Sequence, residues 1–146
     1  MTKDPTPKPE RLSTKWRRER EEQVRDVAAG TFPADEAFLA ELFPDAFLDP
    51  LDELLVAYEK DVTAAIASNG RGPQAFCALY AAVEKLVLAL NDLNENGDGC
   101  YIETGEREAL CEYMELIIEH EGLSIEEMGK DLGFGMGELT DEWRDW

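Results

Sequence analysis

The chain has 146 residues with 14 Lys+Arg against 33 Asp+Glu, a formal net charge of −19, and apolar side chains make up 44% of it. That apolar share is too high for a disordered tail, and no charge-free apolar run reaches the length of roughly eighteen residues that a bilayer span needs. So acidic a surface repels nucleic acid and anionic lipid and attracts basic proteins, or else only keeps a small protein soluble, and a chain of this length is expected to form one domain.

The charge is unevenly placed. Residues 1–25 hold eight basic and five acidic side chains, a net of +3, and the other 121 residues hold six and twenty-eight, a net of −22. Residues 1–12 carry Pro5, Pro7 and Pro9 among polar residues and read as a disordered arm, ahead of a single acidic helical domain over 13–146. Ser13 or Thr14 can cap a first helix that reaches about residue 29 and stops at Gly30. Its apolar positions, Trp16, Val24, Val27 and Ala28, are few among alternating Arg and Glu. It is expected to pack weakly as a solvated, salt-bridged helix and not to act as a nucleic-acid-binding arm.

A short helix is expected over about 34–42, closed by Pro44. Asp49 then reads as a cap with Pro50 in the first helical position, and Asp52 and Glu53 suit the helix dipole. Leu51, Leu54, Leu55, Tyr58, Val62 and Ile66 repeat at three-to-four spacing and give one buried stripe, ended by Asn69-Gly70. Pro73 opens the most apolar helix, predicted to reach about residue 92, with Phe76, Leu79, Val83, Leu86, Val87 and Leu90 on its main face. Ala78, Tyr80, Ala82 and Leu88 widen that face. Residues 93–103 read as a polar loop. Thr104 can cap a helix to about His120, with Leu110, Met114, Ile117 and Ile118 inward. Ser124-Ile125-Glu126-Glu127 is a capping box, with Leu123 and Met128 as its hydrophobic staple, before a short helix to about Leu132. Gly133, Gly135 and Gly137 form a bend, and 140–143 a last turn. The fold class is all-α, an irregular single-domain helical bundle of about five to six helices. Cys77, Cys100 and Cys111 are odd in number and form no C-x-x-C pair. With no basic-then-apolar leader at the start, a reducing cytoplasmic setting is expected.

The sharpest motif is Asp92-Leu93-Asn94-Glu95-Asn96-Gly97-Asp98-Gly99-Cys100-Tyr101-Ile102-Glu103, which fits D-x-[DN]-x-[DN]-G-x5-E. Calcium wants six to eight oxygens. In such a loop Asp92, Asn94 and Asn96 would point inward, Gly97 would allow the sharp turn, Asp98 would offer its carbonyl and Glu103 would close the shell. Three features oppose this. Gly99 stands where such loops carry an apolar pairing residue, no second loop exists, and Thr104 as a cap leaves Glu103 just outside the next helix. The opposing reading is an ordinary turn of Asn, Gly and Asp.

Glu108, Glu112, Glu115 and Glu119 fall along one flank of a helix at three-to-four spacing. They lack the Glu-x-x-His pairs of a di-iron site and read as an acidic stripe. His120 sits at a helix end, where it suits the dipole better than catalysis. No nucleophile–base pair stands out, and the late glycines do not form a nucleotide cradle. Trp143 and Trp146, ringed by acids, suit an interface hot spot, or else fold back to fill a groove.

Asn91-Asp92-Leu93-Asn94-Glu95, Ile102-Glu103-Thr104 with Arg107-Glu108, and the closing Arg144-Asp145-Trp146 resemble a family of small acidic helical bacterial proteins whose function is not assigned. The resemblance covers the C-terminal third to half. It implies a helical fold and a helix-to-helix connection for the asparagine-rich segment.

The expected function is therefore a non-catalytic acidic binding protein for a basic protein partner, of the immunity or inhibitor type, without nucleic acid or membrane contact and without a cofactor. Glu108, Glu112, Glu115, Glu119, Trp143 and Trp146 are its candidate partner-binding residues. The alternative is a calcium-binding module using Asp92, Asn94, Asn96, Asp98 and Glu103.

Overall fold

The computed structural model describes residues 6–97 and 101–146. Among them the chain is helical with no strand, an irregular single-domain bundle as the hydrophobic spacing requires. Six α-helices follow in order: α1 Leu12–Ala28, α2 Leu39–Leu42, α3 Asp45–Asn69, α4 Phe76–Asn96, α5 Thr104–His120 and α6 Ile125–Leu132. Short 3-10 turns at Ala34–Glu36 and Pro73–Ala75 precede α2 and α4. No helix among the described residues is long and apolar enough to cross a membrane.

The centre is the α3–α4 pair. Gly70, at φ +79, ends α3 in a backbone conformation that suits only glycine, and Pro73 restarts the chain. Asp61 and Lys85, nearly equidistant from this turn, pair at 3.2 Å, so the two helices run antiparallel. Leu51, Leu55 and Val62 from α3 meet Leu79, Val83 and Leu90 from α4, all with no exposed surface. Met114 and Ile118 of α5 and Met128 of α6 close the core to the same degree. Leu54 and Leu88, expected on buried faces, lie half-buried and 45% exposed.

Four helix starts differ from expectation, the first being that the short helix expected over 34–42 is a 3-10 turn at Ala34–Glu36 followed by α2 from Leu39. α3 begins at Asp45 with Pro44 as its cap, so Asp49 is not the cap and Pro50 sits inside the helix. A proline there has no N–H to donate to the Ala46 carbonyl. The extra turn persists because it carries Phe47 and Leu48, both wholly buried. α1 begins at Leu12, and Ser13 is no cap: it is a buried helical residue whose hydroxyl donates to Asp52 at 2.6 Å. In α5, Thr104 is the first helical residue and Glu103 the cap, its N–H reaching the Glu106 carboxylate at 3.3 Å. By contrast, Ser124 caps α6 as expected, accepting from the Glu127 N–H at 3.2 Å. Leu123 and Met128 are both buried beside it.

The arm and α1 are also more firmly placed than expected. Residues 1–5 of the arm lie outside the described residues, but 6–11 run non-helically against the body. Lys8 and Arg11 reach Glu59 at 2.6 and 2.8 Å, and His120 Nδ1 donates to the Thr6 carbonyl at 2.7 Å. Trp16 of α1 is 5% exposed and stacks on Phe43 at 4.9 Å and on Phe47 at 6.2 Å.

Candidate functional site

The division of charge decides which surface is free to bind. On α1, Ser13, Arg17 and Arg20 stand at i, i+4 and i+7, one helix face. On α3, Asp45, Asp49 and Asp52 do the same. The faces meet in antiparallel register: Ser13 with Asp52, Arg17 with Asp49 at 2.6 Å and Asp45 at 2.9 Å, and Arg20 with Asp45 at 2.8 Å. Arg20 also donates to the Phe43 carbonyl at 2.9 Å. The hydrogen bond from Arg20 is the main reason the Asp45 carboxyl lies below its ordinary pKa. The basic-rich N-terminal segment is therefore largely engaged within the molecule.

The other end is left acidic. From residue 86 onward the chain carries three basic and seventeen acidic side chains, a net of −14. Glu108 and Glu112 are exposed on α5, and Glu115 and Glu119 half-buried. None of the four makes an ion pair among the described residues. Burial, then the charges of Glu119 and Glu112, raise the Glu115 carboxyl above its usual range. Its folded pKa exceeds its unfolded one, so it weakens the fold once ionised, and this cost disappears as pH falls through the folded value. Glu115→Gln is expected to add about 0.5 kcal/mol near neutral pH, as relief of like charge on a helix does, and to add less in acid. Urea unfolding at two pH values checks it.

The tryptophans are less available than their acidic setting implies. Both are half-buried against the core. The Trp143 ring tilts onto Tyr80 at 4.6 Å. Asn91 holds the tail at two points, donating to the Trp143 carbonyl at 2.8 Å and accepting from the Asp145 N–H at 3.2 Å. The Arg144 guanidinium lies 5.5 Å from the Trp146 ring centre, and the Trp146 Nε1 is buried without a hydrogen-bond partner among the described residues. These rings fill a groove, the second of the two roles open to them.

The described part of the motif, 92–97 and 101–103, does not take the form of a calcium loop. α4 continues to Asn96, one turn past the expected end, so Asp92, Asn94 and Asn96 are helical. Side chains two apart on a helix leave it about 200° from each other and cannot converge. Asn94 points inward, 8% exposed, and its Oδ1 accepts from the Tyr101 and Ile102 N–H groups at 3.1 and 2.9 Å. Gly97 does not take the left-handed conformation; its φ is −97°. What it supplies is room: a Cβ there would lie 2.6 Å from the Tyr101 ring. Asp98 lies outside the described residues, and Glu103 is engaged as the α5 cap. Asn94 is thus a clasp between α4 and α5. Asn94→Ala is expected to cost about 1–3 kcal/mol in metal-free buffer, because two backbone donors lose their acceptor. A side chain serving only as a metal ligand would leave metal-free stability unchanged, and thermal unfolding in a chelator distinguishes the two.

Sequence reasoning missed Glu59. It accepts from Lys8, Arg11 and Tyr113, the last at 2.9 Å. Its only sequence signal was an acid beside the buried Tyr58. No family model, curated protein or solved structure matches this chain.

Proposed function

We propose that the protein is a non-catalytic binding module that recognises a basic protein partner through the acidic surface of α5 and the chain beyond it, as an immunity or inhibitor protein does. The observation that carries this reading is the segregation of charge: α1 answers the acids of α3, while α5 presents Glu108 and Glu112 to solvent without a cationic partner among the described residues. A rigid helix bearing fixed carboxylates steers a basic surface into register and raises the association rate more than the affinity.

The test begins with a partner captured from native lysate and identified by cross-linking. A basic partner is expected, released as salt rises toward roughly 0.5 M, where charges separated by more than a few ångströms are screened. Glu108→Lys with Glu112→Lys is expected to slow association about tenfold or more, with little change in thermal stability because both side chains are exposed. A partner whose capture neither salt nor this double change affects would sink the reading.

A further inference from the structure

On its solvent side α3 presents Val56, Lys60, Thr63, Ala64 and Ala67, one stripe at three-to-four spacing. The arm crosses beside this stripe and brings Lys8 and Arg11, both fixed on Glu59. Between arm and helix lies a cleft of about 440 Å³, within the range of small-ligand sites. The Thr63 hydroxyl donates to the Glu59 carbonyl at 3.0 Å, which leaves its methyl for the cleft.

The lining is unusual for this chain. Three cations and one carboxylate give the cleft a local excess of +2 in a molecule of net charge −19. Two neighbouring clefts do not share it. Between α1 and α3, Arg17, Arg18 and Arg25 face Glu21, Asp49, Asp52 and Glu53. Between α3 and α4, Lys85 faces Asp61. Asp52 draws Arg11 from its far side at 3.7 Å, and Lys8 already holds Glu59. Lys60 makes no ion pair among the described residues, so its ammonium is the charge left for a ligand. A positive rim above a floor of Val56, Ala64 and Ala67 matches one negative group joined to a short apolar body.

We propose that this cleft binds a small amphipathic anion, a carboxylate on a short hydrocarbon, with the carboxylate at Lys60 and the hydrocarbon on Val56, Ala64 and Ala67. The proposal is independent of the partner-binding reading, which concerns the opposite sign of charge on other helices.

The test titrates the ¹⁵N-labelled full chain with octanoate below its micelle concentration, and in separate arms with inorganic phosphate and with octanol. Octanoate is expected to give saturable shifts confined to amides around Lys60, Thr63, Ala64 and Ala67. Phosphate and octanol, each lacking one half of the chemistry, are expected to bind at least about tenfold more weakly. Lys60→Met keeps the alkyl stem, disturbs no ion pair and is expected to weaken octanoate about five- to tenfold. Ala64→Glu, which places a carboxylate on the floor, is expected to weaken it as much. Shifts that scatter or fail to saturate, equal binding of phosphate or octanol, or octanoate binding indifferent to Lys60→Met would each overturn the assignment.

Discussion

Trp16→Ala is expected to lower stability by about 3–5 kcal/mol, the range for removing a large buried aromatic side chain. The reason is that Trp16 joins two layers. It stacks on Phe43 at the end of α2 and on Phe47 in the first turn of α3, and Phe47 in turn stacks on Tyr101 at 4.9 Å before α5. One cavity would loosen the aromatic column that ties α1 to the α4–α5 connection. Trp16→Phe retains most of the stack and is expected to cost less than half as much. Chemical denaturation gives the magnitude, and limited proteolysis gives the place: cleavage within α1 should rise in Trp16→Ala before the α3–α4 core opens. A loss below about 1 kcal/mol would mean that α1 is held by its ion pairs and not by this ring.

That contest between ring and ion pairs explains what the sequence could and could not tell. The apolar stripes of α4 and α5 were legible because each repeats every three to four residues over several turns, and those residues form the core. α1 was misread as loosely attached because only Leu12 and Trp16 of its apolar residues are buried, while the rest of its contact is polar. The information was nevertheless present. Ser13, Arg17 and Arg20 repeat the spacing of Asp45, Asp49 and Asp52, and two complementary stripes of equal pitch can dock as well as two apolar ones. Local rules failed where burial overrode them. Pro50 looked like a helix start, but Phe47 and Leu48 extend α3 backwards past it. Asn94 looked like a loop ligand, but Leu93 and Asn94 are both buried and carry α4 through another turn. The acidic stripe of α5 was legible as composition. Which acids keep a partner within the fold depends on contacts some thirty residues apart in sequence, and spacing alone does not order those.

Acid sensitivity follows from a carboxylate that several distant segments share. Glu59 belongs to α3, yet its oxygens take Lys8 and Arg11 from the N-terminal segment and the Tyr113 hydroxyl from α5. Burial pushes its pKa up, but the hydrogen bonds from Lys8, Arg11 and Tyr113 outweigh that and hold it below the usual carboxylate range. Burial, then the neighbouring Glu59 charge, drive the Tyr113 phenol far above its ordinary value, so it stays a neutral donor at every working pH. A carboxyl whose folded pKa is depressed contributes stability that is complete above its unfolded value, about 4.3, and is lost as pH falls through the folded one. Glu59→Gln is therefore expected to cost about 2 kcal/mol near pH 7, as loss of charged hydrogen bonds does, with limited proteolysis rising first at residues 6–11. The gap between variant and parent should narrow as pH falls below the unfolded value and through the folded one, where the parent becomes protonated and the two side chains come to resemble each other. Tyr113→Phe, which removes one donor and leaves both cations, should cost about 1 kcal/mol. A Glu59→Gln deficit that stays constant down to pH 3 would place its origin in packing and not in the ionised carboxylate, because packing does not titrate.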